Sequence, residues 1–402
     1  MHERESLIPV NEPLIGRNAL AYVTQCIETG WVSSSGSFIP RFEQEFARYL
    51  GVKHAITTTS GTTALHLAMA SLGLGPGDEV IIPALTMIAV PYAVLYTGGE
   101  PVFVDVDPEI FAIDPEKVRE FIDKNCSFDS KKRKLLNKRT GRTVSAIVPV
   151  HLYGHPCAMD EIMAVARSYN LAVIEDAAEA HGALYFPAGN KAAGRLAGTI
   201  GLAGCFSFYA NKIVTTGEGG MVVTDDDALA ERARRLKDLA HDPERRFLHT
   251  ELGFNYRMTN LQAAIGVAQL EEIDRFIAIK REMAQTYQEL LSGVPGLVCP
   301  QEKEWARSVY WMYTVLVEKE FGLSRDELMR QLRERGVDTR TFFVPCHKQP
   351  LFQAKAEYRK LSFPVSEALS EKGLYLPSGL ALTKGQMKRV VAEIKKIASK
   401  RL

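Results

Sequence analysis

The chain has 402 residues, and its 49 Lys and Arg against 48 Asp and Glu give a formal net charge of +1. This length predicts two or three domains, and the balanced charge gives no electrostatic reason to expect nucleic acid or a membrane surface as the main partner. The charged start, Met1 to Glu5, precedes no apolar signal segment, and no apolar run reaches about 18 residues, so no membrane-spanning helix is expected. The six cysteines lack CxxC spacing, which indicates free thiols in a reducing cytoplasm and argues against a disulfide framework or a zinc site.

The first 50 residues predict an arm followed by two helices. Residues 1–14 contain Pro9 and Pro13 and should form an extended arm. Apolar periodicity predicts helices over residues 15–29 and 39–50, and Gly30 ends the first. The hydroxyl-rich loop between them, residues 31–37, is either a plain linker or part of a binding pocket.

From residue 55 the chain alternates between short apolar strands and helices. Strands are predicted at 55–58, 79–82, 101–104, 146–150, 171–174 and 221–224. This alternation predicts an α/β fold with a doubly wound, mostly parallel sheet in a large domain, residues 15–276. From residue 277 a long helix, a strand at 312–317 and helices at 325–335 and 383–399 predict a smaller C-terminal α+β domain, residues 277–402.

A basic run interrupts the large domain between a predicted helix (115–123) and a core strand. Such a run can indicate nucleic-acid binding. Its place inside one domain favours a solvated insertion loop at about residues 125–143 instead. The basic residues are Lys131, Lys132, Arg133, Lys134, Lys138, Arg139 and Arg142.

Residues 57–68 run from a strand through a glycine turn into a helix. Ser60, Gly61 and Thr62 stand at the turn. Free backbone N–H groups and hydroxyls at a helix N-terminus bind phosphate well. This stretch is therefore a candidate phosphate site.

An acidic residue follows the predicted buried strand 171–174. In open α/β sheets, ligands bind beyond the carboxyl ends of the strands, and Asp176 is placed there. A buried carboxylate at this edge would keep a pyridine nitrogen protonated, and the ring would then act as an electron sink.

Lys212 lies between the apolar, aromatic segment 205–209 and the glycine-rich turn 215–220. A lysine at random is a surface residue, but this setting indicates that its amine is used. Desolvation lowers the pKa of a lysine, and the neutral amine is the nucleophile that Schiff-base chemistry with an aldehyde needs.

A phosphate site, an acid for a ring nitrogen and a reactive lysine together indicate pyridoxal phosphate (PLP). The chain resembles a fold-type I PLP-dependent transferase of the nucleotide-sugar aminotransferase family that is often called DegT/DnrJ/EryC1/StrS. The resemblance covers nearly the whole chain. It is densest at residues 30–34, 151–154, 211–220 and 253–260.

The resemblance implies roles for individual residues. Lys212 would bind the cofactor aldehyde and then move a proton, and Asp176 would pair with the ring nitrogen. Glu179 would lie near the cofactor's phenolic oxygen. The phosphate would be held by Ser60, Gly61, Thr62 and Ser207. Met87 departs from the family, which usually has an aromatic residue stacked on the ring at this position.

The same resemblance implies a homodimer with shared active sites, in which Asn255 reaches the partner's cofactor. The substrate-binding residues it implies are Trp31, Ser33, Ser34, His181, Arg257 and His347. His181 could equally be a packing histidine in the core.

The reaction implied is transfer of an amine from glutamate to a nucleotide sugar, at C4 of GDP-4-keto-6-deoxymannose. Some relatives have histidine in place of Lys212 and act as sugar dehydratases, so the lysine favours amino transfer. A UDP- or dTDP-keto-sugar, aminated at C3 or C4, is the alternative substrate. A regulatory protein that keeps the fold without turnover is a third hypothesis, which the full set of site residues disfavours.

Overall fold

The computed structural model describes residues 7–242, 244–245 and 247–399 of the chain. The helices are α1 (Ala19–Glu28), α2 (Phe38–Leu50), α3 (Gly61–Ser71), α4 (Ala89–Tyr96), α5 (Pro115–Asn125), α6 (Met159–Tyr169), α7 (Asp227–Lys237), α8 (Asn260–Leu270), α9 (Ile273–Leu291), α10 (Arg325–Glu334), α11 (Pro350–Gln353), α12 (Ala356–Arg359), α13 (Pro364–Lys372) and α14 (Lys384–Ser399).

The strands are β1 (His54–Thr58), β2 (Asp78–Pro83), β3 (Glu100–Val104), β4 (Cys126–Asp129), β5 (Lys134–Asn137), β6 (Thr143–Ile147), β7 (Ala172–Asp176), β8 (Leu184–Tyr185), β9 (Arg195–Leu196), β10 (Ala203–Ser207), β11 (Gly220–Thr224), β12 (Leu297–Val298), β13 (Ala306–Arg307), β14 (Tyr313–Val317), β15 (Arg340–Thr341) and β16 (Gly373–Leu376).

The large sheet confirms the predicted α/β architecture. Its strand order is β1-β11-β10-β7-β6-β2-β3. The neighbours from β10 to β3 pair in parallel, whereas β11 pairs antiparallel with both β1 and β10. In this register Cys205 on β10 lies beside Asp176 on β7. The carboxyl ends of both strands therefore open at the same edge of the sheet.

The central strands consist of consecutive apolar residues because both faces of the sheet are covered. Val80 and Ile82 on β2 lie in one hydrophobic core, and Ile81 between them lies in a second core on the opposite face. Successive side chains of a strand point to opposite faces, so a strand covered on both sides has no polar face. Helices α2, α3 and α8 lie over the first core, and α5 and α6 lie over the second.

The basic segment is not the solvated loop that the sequence predicted. It forms a hairpin of β4 and β5, and β5 continues into the large sheet by pairing with the start of β6. Leu135 is 1% exposed and packs into the second core, while Lys131 and Lys132 at the turn are exposed. The charged side chains at the turn are thus solvated as expected, but the backbone is paired as strands, because β6 offers an edge with which β5 can pair.

The C-terminal part forms a second layer around its own antiparallel sheet, in the order β12-β14-β16-β15. Helices α9, α10 and α14 contribute to a third core against this sheet. The predicted boundary between residues 276 and 277 falls inside α9, because that helix starts at Ile273, after the helix predicted over 260–275 has ended at Leu270.

The N-terminal segment runs from residue 7 along this second layer. Ile8 is 1% exposed, and its N–H donates to the Gly336 carbonyl at 2.8 Å. Among the described residues, no helix combines the length and the hydropathy that a bilayer crossing needs.

Candidate active site

A cavity of about 370 Å³ lies at the carboxyl ends of β2, β6, β7 and β10. One side is covered by residues of the second layer: Trp311 precedes β14, Phe343 follows β15, and Tyr375 lies on β16. The predicted residues that line it are Ser60, Gly61, Thr62, Met87, Asp176, Glu179, Ser207 and Lys212. The structure therefore brings together side chains from positions 60 to 212 at the sheet edge where α/β proteins bind ligands.

The N-terminus of α3 forms one wall of the cavity. Ser60 caps the helix: its Oγ accepts from the Thr63 N–H at 3.2 Å, and Thr63 Oγ1 accepts from the Ser60 N–H at 2.9 Å. The Gly61 and Thr62 amides lie in the first turn of α3, where N–H groups have no acceptor within the helix and can bind an anion.

Gly61 is required here because β10 comes so close. A Cβ at this position would lie 2.7 Å from the Ser207 Cβ and 3.2 Å from its Oγ. The glycine lets the Ser207 hydroxyl join the two amides. Together they form a cradle for a phosphate group.

Asp176 ends β7 and is buried beside the cavity. Its Oδ1 accepts from the Ala178 N–H at 3.0 Å, which fixes the carboxyl orientation. Burial raises the pKa of this carboxyl, while the Ala178 N–H and the Lys212 charge act in the opposite direction. A cationic ring nitrogen would supply the positive partner that a buried carboxylate needs.

Lys212 lies in the loop between β10 and β11, and its side chain is 10% exposed. Its Nζ donates to Glu179 Oε1 at 3.3 Å and stands 3.8 Å from the centre of the Trp311 ring. The amine is therefore held between the Glu179 carboxylate and the face of the Trp311 indole ring. It is not a surface lysine.

Glu179 connects this amine to an aromatic wall. Its Oε2 accepts from the Tyr153 N–H at 2.8 Å, and Tyr153 has a φ of 54°, which is unusual for a residue with a side chain. Burial raises the pKa of the Glu179 carboxyl, and the Lys212 charge opposes this. The Tyr153 ring lies parallel to the rings of Phe343, at 6.0 Å, and Trp311, at 6.3 Å.

These groups fit PLP. The cradle at Gly61 and Ser207 suits its phosphate, Asp176 suits its ring nitrogen, and Lys212 provides an amine for its aldehyde. Met87 also lines the cavity and is 45% exposed, so a thioether stands where the family usually has an aromatic ring. In the described part of the chain, no group of three or more His, Cys, Asp or Glu side chains is arranged to hold a metal ion.

Several residues that the sequence predicted for the site do not line this cavity. Trp31 is 57% exposed, and Ser33 and Ser34 lie in the same loop, which Asn260 holds through the carbonyls of Trp31 and Ser33. Asn255 is exposed and accepts through its Oδ1 from Arg257 Nε at 3.0 Å. The Arg257 side chain also pairs with Asp238 at 2.7 Å.

The two predicted histidines are packed in the interior instead of contacting the cavity. His181 is 1% exposed and lies against Phe206 and Phe208; burial, with the Lys212 charge, lowers its pKa to about 3. His347 is buried, and its Nε2 bonds to Glu367 at 3.0 Å. Aromatic rings pack against both imidazoles, and burial lowers the pKa of each.

The sequence did not identify the residues that close the cavity from the second layer. Trp311, Phe343 and Tyr375 line it together with Tyr209, Asn211 and Glu218. Trp311 Nε1 donates to the Asn211 carbonyl at 2.8 Å across 100 residues of sequence. No local pattern signals such a distant pairing, so only the tertiary structure shows this wall.

A protein-family model, the DegT/DnrJ/EryC1/StrS aminotransferase family, matches residues 13–395. A protein of Caulobacter vibrioides named GDP-perosamine synthase is 43% identical over 391 residues, covering 97% of this chain and 98% of the relative. A Vibrio cholerae protein of the same name is 40% identical over 389 residues, with 97% and 98% covered. The structure of DesI in the presence of its TDP-sugar product superposes with a TM-score of 0.86 and 31% identity, covering 99% of this chain and 94% of that one.

Proposed function

The chain belongs to the DegT/DnrJ/EryC1/StrS aminotransferase family, and we propose that it transfers an amino group from glutamate to C4 of GDP-4-keto-6-deoxymannose, which gives GDP-perosamine. It is a PLP-dependent aminotransferase, as the family is. The assignment of the substrate rests on sequence identity with two proteins named GDP-perosamine synthase. This chain is 43% identical to one and 40% identical to the other, over nearly the full length of each aligned pair.

The residues of the cavity have distinct tasks in this reaction. Bound PLP supplies an electrophilic aldehyde and a ring that delocalises the negative charge which develops on a substrate carbon. The Gly61 and Thr62 N–H groups and the Ser207 hydroxyl bind the phosphate. Asp176, fixed by the Ala178 N–H, keeps a proton on the ring nitrogen.

Lys212 holds and moves the proton at Nζ. Glu179 and Trp311 orient this amine, and in its charged form it carries a proton that it can deliver to a nearby carbon. When the amine is neutral, it can attack a carbonyl carbon as a nucleophile. An arginine could do neither, because it stays protonated.

The aromatic wall of Trp311, Phe343 and Tyr375 excludes water from one side of the cavity. Excluding water strengthens the charge interactions of Asp176 and Lys212, since fewer dipoles screen them. Met87 provides an apolar contact for one face of a ring. A thioether is more flexible than an aromatic side chain, so it holds that ring less rigidly.

We further propose a homodimer in which Asn255 and Arg257 complete the partner's site. In this chain both residues lie away from the cavity, on a surface segment that also exposes Leu252, at 83%. Leu20 is 80% exposed, and such apolar side chains at a surface favour association. The loop with Trp31, Ser33 and Ser34 would bind the nucleotide sugar in the same assembly.

We place the enzyme in the cytoplasm. All six cysteines are free thiols, and five of them are buried. Proteins of oxidising compartments commonly use such residues as disulfides, so free thiols agree with a reducing compartment.

A dTDP- or UDP-keto-sugar is the second candidate substrate. The structural similarity to DesI, studied in the presence of its TDP-sugar product, favours it. The two candidates share every cavity residue named above. They differ in the base and the sugar that the assembled site must accept.

One half-reaction separates the candidates. The purified enzyme is converted with glutamate to the pyridoxamine phosphate form, excess glutamate is removed, and GDP-4-keto-6-deoxymannose is added while the cofactor absorbance is followed. We expect the original absorbance to return and an amino sugar to form. If the absorbance returns only with a dTDP- or UDP-keto-sugar, the proposed GDP-sugar substrate is wrong and the amino-transfer reaction stands. If the purified enzyme shows no cofactor absorbance at the outset, the PLP-dependent mechanism is wrong.

Gel filtration of the active enzyme tests the shared site. We expect a dimer, and an Asn255→Ala variant that remains dimeric should lose cofactor affinity. A fully active monomer would contradict the role given to Asn255.

A further inference from the structure

A second lysine is buried below the active site. Lys280 on α9 is 1% exposed, and its Nζ donates to the carbonyl of Trp311, at 2.9 Å, and to the carbonyl of Ser378. Both partners are backbone carbonyls, and it forms no ion pair with any residue that the structure describes. Burial alone lowers its pKa to about 7. A lysine without a carboxylate in such a place is costly, so its hydrogen bonds need an explanation.

The two carbonyls belong to the ends of two neighbouring strands. Trp311 precedes β14, and Ser378 follows β16, which pairs with β14. The Ser378 Oγ accepts from the Tyr313 N–H at 2.9 Å, and the Ser378 N–H donates to the Val10 carbonyl at 2.7 Å. Lys280 therefore joins α9, both strand ends and, through Ser378, the N-terminal segment.

Trp311 contacts both this junction and the active site. Its carbonyl is bound by Lys280, its Nε1 donates to the Asn211 carbonyl at 2.8 Å, and its ring centre lies 3.8 Å from Lys212 Nζ. Lys280 itself does not line the cavity. Lys280 is connected to Lys212 through a single residue: it binds the Trp311 carbonyl, and the Trp311 indole ring contacts the Lys212 amine.

We propose that Lys280 is a positioning residue, which holds the Trp311 backbone so that the indole ring covers the Lys212 amine. A buried methionine would fill the same space but leave two carbonyls without donors. The Trp311 backbone would then shift to find other donors, and the ring would leave the amine. The inference rests on the proposed function only in taking Lys212 as the reactive amine.

The test reads the protonation of Lys212 directly. Competitive acetylation with acetic anhydride at a series of pH values, followed by mass spectrometry of the Lys212 peptide, gives the pH midpoint of its amine. The full chain is measured loaded with pyridoxamine phosphate, which has no aldehyde to block Lys212, and in parallel without cofactor. In Lys280→Met we expect this midpoint to fall by about half a pH unit or more, because the ring face stabilises the ammonium.

Tyr287→Phe is the matched control. Tyr287 lies on the same helix, is fully buried, and donates through its hydroxyl to the Pro377 carbonyl at 3.0 Å, next to Ser378. It contributes a similar bond to the same junction without touching Trp311. Its loss should lower the unfolding temperature and leave the Lys212 midpoint unchanged.

A double variant separates positioning from general loosening. In a Trp311→Leu background, Lys280→Met should no longer shift the Lys212 midpoint. An equal shift in both backgrounds, or a folded Lys280→Met with no shift, overturns the proposal. If Lys280→Met does not fold, Lys280→Gln keeps one amide donor and is read in the same way, with a smaller shift.

The outcome is independent of the half-reaction with sugars. Should every keto-sugar fail while the shift is present, the proposed function falls and Lys280 keeps its positioning role. Should the sugar react while the shift is absent, only the role of Lys280 falls.

Discussion

The cavity around Lys212 and the junction around Lys280 both bury a lysine amine, yet the two regions treat it differently. Lys212 has a carboxylate at 3.3 Å, an indole face at 3.8 Å and a cavity of about 370 Å³ beside it. Lys280 has two backbone carbonyls and, within the part of the chain that the structure describes, no carboxylate partner, and it does not line the cavity. Burial is common to both, so it does not distinguish a reactive lysine from a structural one.

What distinguishes them is room for a reactant and the charge of the partner. The Glu179 carboxylate binds the Lys212 amine and leaves the cavity beside it unfilled. The carbonyls of Trp311 and Ser378 bind the Lys280 amine in the protein interior, outside the cavity. The comparison teaches that a reactive lysine is recognised by an unfilled cavity and an ionic partner together.

The largest expected effect is that of Lys212→Ala. Amine transfer to the keto-sugar should fall by at least about 10³-fold, because both the nucleophile and the proton carrier are lost. Single-turnover conversion of the sugar measures it. In the same assay the activity of Lys280→Gln should fall by less than about tenfold. An equal loss of activity at the two lysines would contradict the distinction between a reactive and a structural lysine.

Asp176→Asn should have the next largest effect. The amide keeps an oxygen for the Ala178 N–H but loses the charge that holds a proton on the ring nitrogen. We expect transfer to fall by about 10²-fold, measured as kcat/KM for glutamate. Asp160→Asn, at the start of α6, is the control, and an unimpaired Asp176→Asn would show that the charge is not needed.

Gly61→Ala should weaken cofactor retention by about tenfold, because the added Cβ overlaps Ser207 at 2.7 Å and must displace part of the phosphate cradle. Equilibrium dialysis of bound PLP measures it. Gly385→Ala is matched to it, since it also lies near a helix start and the nearest atom to its Cβ is 3.9 Å away. Equal retention by both variants would contradict the cradle.

The last prediction concerns stability instead of activity, namely the pH dependence of the unfolding free energy at Lys280. Its pKa is about 7 in the folded chain and about 10.4 in the unfolded chain, so between these values the unfolded chain binds more protons. The native state therefore gains stability, relative to Lys280→Met, as pH rises from about 7 to about 10, by at most about 1.4 kcal/mol per unit. Urea unfolding of both proteins at pH 7 and 9 measures the difference between their unfolding free energies. The same difference at both pH values would show that folding does not lower the pKa of Lys280.

The elements near the site were predictable because each follows a local rule. Apolar strands followed by polar residues placed Ser60, Asp176 and Lys212 after strands, and parallel pairing brings strand ends to one edge. The cradle followed in the same way from a glycine at a helix start. These three residues line one cavity, as the sequence indicated.

The surroundings of the basic segment and of the two histidines were not predictable, for a shared reason. The basic segment forms a hairpin because β6 offers an edge with which β5 pairs, and its charges alone did not reveal this. His181 and His347 pack in the interior since their neighbours in space, such as Phe206 and Phe363, come from other parts of the chain. The resemblance assigned His347, and as one of two alternatives His181, to the substrate, and that role stays a prediction.

By itself the sequence determined the α/β alternation and the cofactor, and it predicted Lys212 as the lysine that serves the cofactor, because these inferences depend on short-range patterns of apolar, glycine and charged residues. The tertiary structure alone decided which residues cover that lysine. Trp311 reaches Lys212, and Lys280 reaches Trp311, through contacts between the two layers. Such contacts depend on how the layers pack, and packing leaves no periodic trace in the sequence.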